Sequence, residues 1–474
     1  MPPTIELLEE AKRLIKFNTV TTQSNAECAV YVGQLLQRAG CRVQYQEYRD
    51  GSQVFLNVIG VLGEGSAPPL LLTAHLDTVD PGNPKLWTKT GGDPWRAVVR
   101  GDAIYGLGTA DDKLDLLCKI LALSHIAPAS LKRPVMVLGT FGEERGLLGA
   151  VRFCQGSLPR PAMAIVGEPS NLRLVTQHKG LLVGELSLMR RGVYRTEGPE
   201  QAYELEVTGV ATHSSAPQLG RNAVTQMLEA LTPLSQPSGG LKVLAIEGGT
   251  APNIVPARCT ALVVLSAAAR RFLAARRGVR MTPKRLLAGW HPTLPWADLV
   301  AYVKGLEGAL APYRKGKGRG FVPPTMTSTL TRVAVHEGAL TLTFDVRALP
   351  GQDLEKIARR CEQLAWDSFG PPGDRWQFRR ERQNPSLNMS PSAPVVTLMR
   401  SAMRAAHVPT TLAAKAGCSE AGWYQMVGIP SVVFGAGQAQ GNIHQPNERN
   451  SLRQLRRAIA VYRQVIERGC VKGA

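Results

Sequence analysis

The chain has 474 residues, 44% hydrophobic and 20% charged, a balance that builds a folded core and excludes a disordered or fibrous chain. At about 150 residues per domain, this length implies about three domains or two larger ones. The formal net charge of +19 invites nucleic acid, a membrane surface or an acidic ligand as a partner. No apolar run reaches the roughly 18 residues of a membrane helix. Glu6, Glu9, Glu10 and Lys12 interrupt any leader-like core, so a soluble, cytoplasmic protein is expected. Eight singly spaced cysteines with no C-x-x-C pair read as free thiols in a reducing compartment.

Runs of strand length occur at 54–62 (VFLNVIGVL), 69–77 (PLLLTAHLD), 134–144 (PVMVLGTFGEE) and 162–168 (AMAIVGE). Between the second and third, DDKLDLLCKILALSHIAP sets Leu114, Leu117, Cys118 and Leu121 on one helical face and stops at Pro128. This alternation predicts an α/β fold with a mostly parallel sheet covered by helices. From residue 183 the texture changes to half-exposed, alternating strands such as YELEVTGV, LKVLAIEGG and ALTLTFDVRAL, with helical stretches RNAVTQMLEALTPL and DLEKIARRCEQLAW among them. An α+β domain with a mainly antiparallel sheet is expected over 183–385, inserted into a first domain made of 1–182 and 386–474. No sequence repeat of about 20 to 50 residues is visible.

Residues 265–320 hold twelve Lys or Arg against only Asp298 and Glu307, so more than half of the excess charge sits there. The segment also contains Trp290, Trp296, Leu286, Leu287 and Leu299, so part of it should fold and pack, and 267–320 reads as a helical elaboration of the inserted domain with a solvated cationic face. Such a face would suit nucleic acid, an acidic substrate or an acidic carrier protein.

Several strands of the first domain end in a potential metal ligand: His75 and Asp77, Glu143 and Glu144, Glu168, and His444 shortly after SVVFGAG. Asp111 and Asp112 add carboxylates where a helix begins. In parallel sheets the carboxyl ends of the strands line the ligand crevice, so these groups converge there, and an N/O donor set of this kind suits zinc. Taken singly, each has a plainer reading: a surface His–Asp pair, a helix N-cap at Asp111, an acidic first turn at Glu143–Glu144, a loop histidine at 444. G-C-S-E-A at 417–421 is an imperfect nucleophile elbow lacking the final glycine, the only hint of a serine hydrolase.

The motifs TAHLDTVDPG, YGLGTADDK, GTFGEERGLLGA, IVGEPS, ATHSSAPQLGRNAV, GGTAPNIVP, FDVRALPG and VFGAGQAQGNIHQPNE run in order from 71 to 448. In them the chain resembles the zinc metallopeptidase and aminoacylase family that includes acetylornithine deacetylase, succinyl-diaminopimelate desuccinylase and carboxypeptidase G. The resemblance implies a split catalytic domain, an inserted lid and dimerisation domain, and a homodimer. It implies two divalent ions, Zn2+ with Co2+ or Mn2+ as alternatives, held by His75, Asp111, Glu144, Glu168 and His444, with Asp111 bridging. It gives Asp77 the task of orienting His75 and Glu143 that of general base. His213 of a partner subunit would support the oxyanion, and Asn253 and Arg347 would hold the substrate backbone or carboxylate. The implied reaction is amide hydrolysis of an N-acyl amino acid or a small peptide with a free carboxylate. The competing expectation is an inactive scaffold binding nucleic acid or an acidic protein through the basic segment. Leu107 and Glu420 depart from the family pattern, where arginine and aspartate are common, and Arg347 stands 94 residues after Asn253, an unusually long separation.

Overall fold

The computed structural model describes residues 6–189, 192–336 and 338–472. The chain divides into two compact units, Met1–His178 with Asn384–Ala474, and Lys179–Gln383.

In the first unit, β1 (Arg42–Asp50), β2 (Gln53–Leu62), β3 (Leu70–His75), β4 (Val135–Thr140), β5 (Met163–Val166) and β6 (Leu174–His178) form one sheet with Ser431–Val433, ordered β1-β2-β4-β3-β5, then Ser431–Val433, then β6. Every residue of β3 and β4 is buried, as expected of strands covered on both faces. The centre is parallel, β4 with β3, β3 with β5, and β5 with Ser431–Val433, whereas β1 and β2 join antiparallel at one edge. The mostly parallel sheet expected from the sequence is therefore present.

Helices α1 (Leu7–Ile15), α2 (Ala26–Arg38), α3 (Lys113–Leu123) and α4 (Leu148–Gln155) cover it together with the closing helix Leu452–Cys470. The face of α3 set by Leu114, Leu117, Cys118 and Leu121 is buried, and so are its other seven residues, because the closing helix and α1 pack on it as well. Its polar residues are neutralised inside: Lys119 is ion-paired with Asp115 and donates to the Thr73 carbonyl (2.9 Å), and Lys113 donates to the Phe17 carbonyl (2.7 Å).

The second unit carries an antiparallel sheet of eight strands: β7 (Gly180–Met189), β8 (Glu200–Thr208), β9 (Leu241–Gly248), β10 (Arg258–Leu265), β11 (Val279–Leu286), β12 (Thr327–His336), β13 (Ala339–Ala348) and β14 (Trp376–Asn384). Their order is β11-β8-β10-β9-β12-β13-β7-β14, and α5 (Ala223–Leu231), α6 (Ala267–Ala274), α7 (Trp296–Arg314) and α8 (Leu354–Phe369) accompany them.

The basic stretch is not an added helical face. Its residues make α6, the edge strand β11 and α7, with a ribbon pairing Gly289–Pro292 against Val193–Thr196. Part of its charge is answered on the sheet, where Arg280 pairs with Glu206 and Lys284 with Glu204.

Candidate metal centre

The carboxyl end of β3 delivers His75, and β4 runs into the turn holding Glu143 and Glu144. Asp77 ties the two together. Its Oδ1 accepts from the Glu143 amide (3.0 Å) and its Oδ2 from the Glu144 amide (3.1 Å), so the paired glutamates are fixed by their backbone and not by a helix. They precede the start of α4 at Leu148, which excludes the acidic-first-turn reading. Asp77 also accepts from His75 Nδ1, through its backbone carbonyl at 2.9 Å, with its Oδ1 at 3.6 Å.

A carbonyl can only accept, so Nδ1 of His75 carries a hydrogen, and in the neutral ring Nε2 presents a lone pair. That lone pair faces Asp111 Oδ1 at 3.0 Å. His444 Nε2 lies 3.2 Å from Asp111 Oδ2 and 2.9 Å from Glu144 Oε1. Ligand atoms of His75, Asp111 and Glu144 all fall within 4.8 Å of one another. At these distances a protonated imidazole can donate to the carboxylates, and a neutral one and the carboxylates can instead share a cation. Two imidazoles and several carboxylates are the donor set of a divalent transition ion, and the residues present fit one.

Without an ion the carboxylates favour protonated histidines, so a metal would have to displace those protons. Burial alone would lower the His75 imidazole, but the hydrogen bonds and charges of Asp111 and Asp77 override it and hold it well above the histidine range. His444 is raised to about 11: burial opposes, and Glu144 and Asp111 prevail. Asp111 is pushed below the usual carboxylate range by both histidines, against the effect of its burial.

Asp111 is not the helix cap. The N-cap position of α3 is Asp112, whose side chain makes no capping bond. His444 is more than a loop histidine, since it holds a left-handed backbone (φ 58°) that costs about 1–2 kcal/mol for a non-glycine residue and is kept only where its surroundings dictate it.

Glu168 follows β5 by two residues and is buried. Its carboxylate is ion-paired with Lys415, at the end of a short strand Leu412–Lys415 that runs parallel to β6. Burial raises the Glu168 carboxyl, and Lys415 opposes that rise. Gly167 is needed beside it: a Cβ there would stand 2.4 Å from carboxylate oxygens of both Asp112 and Asp115.

Two contributors, Glu448 and Lys415, escaped the sequence reading, and a third, Glu420, was noted there only as a departure from the family pattern. Glu448 is buried and accepts the amides of Ala110 (2.8 Å) and Asp111 (3.2 Å), fixing the loop that aims Asp111; burial and the Asp111 charge push it up to about 8. It lies in HQPNE, four residues past His444, which is the signal that could have found it. Lys415 was passed over because a search for ligands looks for imidazoles and carboxylates. Glu420 is buried against Thr73, whose hydroxyl lies 3.5 Å away, and burial pushes it up to about 7.

Ser419 is fully buried and its Oγ accepts from the Ala421 amide (3.3 Å) as the N-cap of helix Glu420–Met426. It is built as a cap and not as a nucleophile.

His213, Asn253 and Arg347 gather around Ser214 in the second unit. The Ser214 amide donates to the Asn253 carbonyl (2.9 Å), and Arg347 Nη2 lies 3.5 Å from Ser214 Oγ. His213 is exposed, and its Nδ1 accepts from the Ser215 amide (3.1 Å). Arg347 is no surface cation: it is 4% exposed and clasps Asp345 with Nε and Nη2, both at 2.9 Å.

The model of peptidase family M20/M25/M40 matches residues 71–468. The chain is 33% identical over 215 residues to acetylornithine deacetylase of Proteus mirabilis, covering 45% of this chain and 49% of that one. It is 32% identical over 245 residues to the enzyme of the same name from Photorhabdus laumondii, covering 51% and 57%. The matched region thus spans about half the length of these curated relatives. Among solved structures, aminoacylhistidine dipeptidase from Vibrio alginolyticus is similar at TM-score 0.62 and 14% identity, with 96% of each chain covered. An M20 family metallo-carboxypeptidase from Sulfolobus solfataricus reaches TM-score 0.62 at 15% identity, covering 98% of this chain and 99% of that one. At such identities the likeness is one of fold. With most of its length matched by the family model and its ligand-bearing motifs in order, the chain belongs to peptidase family M20/M25/M40.

Proposed function

We propose that the protein is a metal-dependent amidohydrolase acting on an N-acyl amino acid or a small peptide with a free carboxylate. The observation that carries this reading is the convergence of His75, Asp111, Glu144 and His444, beside a second glutamate, Glu143, held by the same Asp77 carboxylate.

In this reading two divalent ions would be held by His75 and Glu168 for one and Glu144 and His444 for the other, with Asp111, whose two oxygens face different histidines, serving both. The nitrogen and oxygen donors suit zinc, and Co2+ or Mn2+ would be accepted by the same set. When bound, such ions would acidify an attacking water and polarise the scissile carbonyl.

The remaining work belongs to the chain. Glu143 takes the proton of the attacking water and delivers it to the leaving nitrogen. Asp77 holds Glu143 and Glu144 in fixed relation through their amides and sets the His75 tautomer through its carbonyl. His213 stabilises the oxyanion, and Asn253 and Arg347 anchor the substrate backbone or carboxylate. Arg347 is already bidentate on Asp345, so it orders the Ser214 loop as much as it offers charge.

The test is a screen of N-acetyl, N-succinyl and dipeptide substrates with the metal-reconstituted chain. Release of a free amine from at least one class is expected, and no hydrolysis of any would remove the reading.

A further inference from the structure

The second unit contains a cavity of about 190 Å³ between α7, the start of α5 and the strands β12 and β13. Close-packed interiors leave few voids of such size. One wall is apolar, formed by Val303 and Leu306 of α7 with Leu330 and Phe344 of the sheet. Polar groups line the rest: Arg314 in the last turn of α7, Ser328 of β12, and Asn222 and Thr225 at the start of α5. The volume lies below the roughly 300 Å³ at which drug-sized sites begin, so it suits a small metabolite.

Arg314 gives the cavity its chemistry. Its guanidinium is half-buried, and among the described residues it pairs with no carboxylate; its Nη2 donates to the Ser328 hydroxyl. A cation drawn against apolar walls costs free energy unless a counter-charge meets it, and a planar guanidinium matches a carboxylate with two donors. Glu307 also lines the cavity, but it stands about two helical turns before Arg314, roughly 10 Å along the axis, at an exposed position. There it disfavours a second carboxylate. The lining therefore selects a small monocarboxylate, its charge on Arg314 and an apolar body against Val303, Leu306 and Phe344.

The cavity is separate from the residues proposed to hold substrate, yet tied to them. Successive residues of a strand face opposite sides, so Phe344 faces the cavity while Asp345 and Arg347 face away from it. Ser328, which receives Arg314, adjoins Thr329, whose hydroxyl donates to the Ser214 carbonyl (3.3 Å). Ser214 in turn donates to Asp345 (2.9 Å), the carboxylate clasped by Arg347. On the other wall Asn222 donates to the Leu330 carbonyl (2.7 Å). A ligand that draws Arg314 off Ser328 thus acts on the strand to which the Ser214 loop is hydrogen-bonded.

We infer that this cavity is an effector site for a small monocarboxylate with an apolar body, acting on substrate affinity through Ser328, Thr329 and the Ser214 loop. A free amino acid and the acid released from an acyl group share that chemistry, and both are products of the proposed hydrolysis. Only the turnover arm of the test rests on that hydrolysis.

The metal-reconstituted full chain is titrated by calorimetry with leucine, with isocaproate, which lacks the amine, and with isopentylamine, which lacks the carboxylate, each up to about 10 mM. Saturable binding of leucine or isocaproate is expected, and none of isopentylamine. Which of the two carboxylates binds tells an amino-acid effector from an acyl-acid one. Arg314→Met removes the counter-charge. Thr225→Phe fills the cavity from α5, where Thr225 lends its amide to the Asn222 cap (3.0 Å) and the substitution keeps that amide. Each variant should weaken binding at least about tenfold. Folding is checked by circular dichroism, and if Arg314→Met does not fold, Thr225→Phe decides. No binding of either carboxylate, equal binding of isopentylamine, or unchanged affinity in a folded variant overturns the inference.

In the turnover arm, the bound carboxylate should shift KM about fivefold in the wild type and leave it unchanged in Arg314→Met. Binding without a shift, or an equal shift in both proteins, which is product inhibition at the catalytic centre, overturns the effector role. Absence of any hydrolysis strikes the proposed function, and the calorimetry still decides the site.

Discussion

The ammonium group of Lys415 is ion-paired with the carboxylate of Glu168. A fixed cation thus sits on the glutamate assigned to one of the two metal positions, while Glu144, assigned to the other, faces His444. In the proposed two-ion arrangement the two positions would therefore be unequal, since an incoming ion would have to displace Lys415 on the Glu168 side.

Lys415→Met removes that competition and keeps the length of the side chain. The weaker of two titration steps with Zn2+ is expected to tighten by at least about tenfold, roughly 1.4 kcal/mol, by calorimetry. Unchanged or weaker binding would mean that Lys415 orders Glu168 for the metal and does not compete with it.

Glu143→Ala should separate chemistry from binding. Loss of a general base lowers turnover by about 10²–10⁴, while metal content by elemental analysis stays that of the wild type. His75→Ala and His444→Ala should instead lose metal on gel filtration. A Glu143 variant that retains turnover, or one that loses its metal, takes the base role from this residue.

Asp77→Asn is a finer probe. The carboxylate accepts two amides at once, and an amide group has only one accepting oxygen, so one of the Glu143 and Glu144 amides is left facing an NH2. Metal affinity should fall by about 10–100-fold, with the fold preserved by circular dichroism. Undiminished affinity would show that the Asp77 backbone carbonyl, which the variant keeps, suffices to orient His75.

Burial pushes Glu420 from its ordinary 4.5 up to about 7. Between those values the folded chain holds a proton that the unfolded chain has released, so this group makes stability fall as pH rises from 4.5 to 7 and then level off. Metal-stripped Glu420→Gln should match the wild type near about pH 4 and exceed it by roughly 3 kcal/mol near about pH 8, by urea unfolding. An equal gain at both pH values would assign the effect to packing.

What was legible in the sequence follows from how local each signal is. β3 and β4 announce themselves as short, wholly apolar runs, and the ligand at each carboxyl end is visible from that placement alone. The burial of the whole of α3 was not legible, because it depends on Asp115 and Lys119 pairing with each other in the interior. The same holds for Arg347, whose partner Asp345 lies two residues along the same strand, both of them buried. The 94 residues between Asn253 and Arg347 are filled by β10, α6, β11, α7 and β12.

The central claim is that amide hydrolysis depends on an ion held by His75, Asp111, Glu144 and His444. The most direct test is hydrolysis of the best substrate of the screen before exhaustive chelation, after it, and after readdition of Zn2+, Co2+ or Mn2+. Activity should vanish with the metal and return with it, in proportion to bound ion. Hydrolysis that survives complete metal removal and is abolished by a serine-directed reagent would contradict the account.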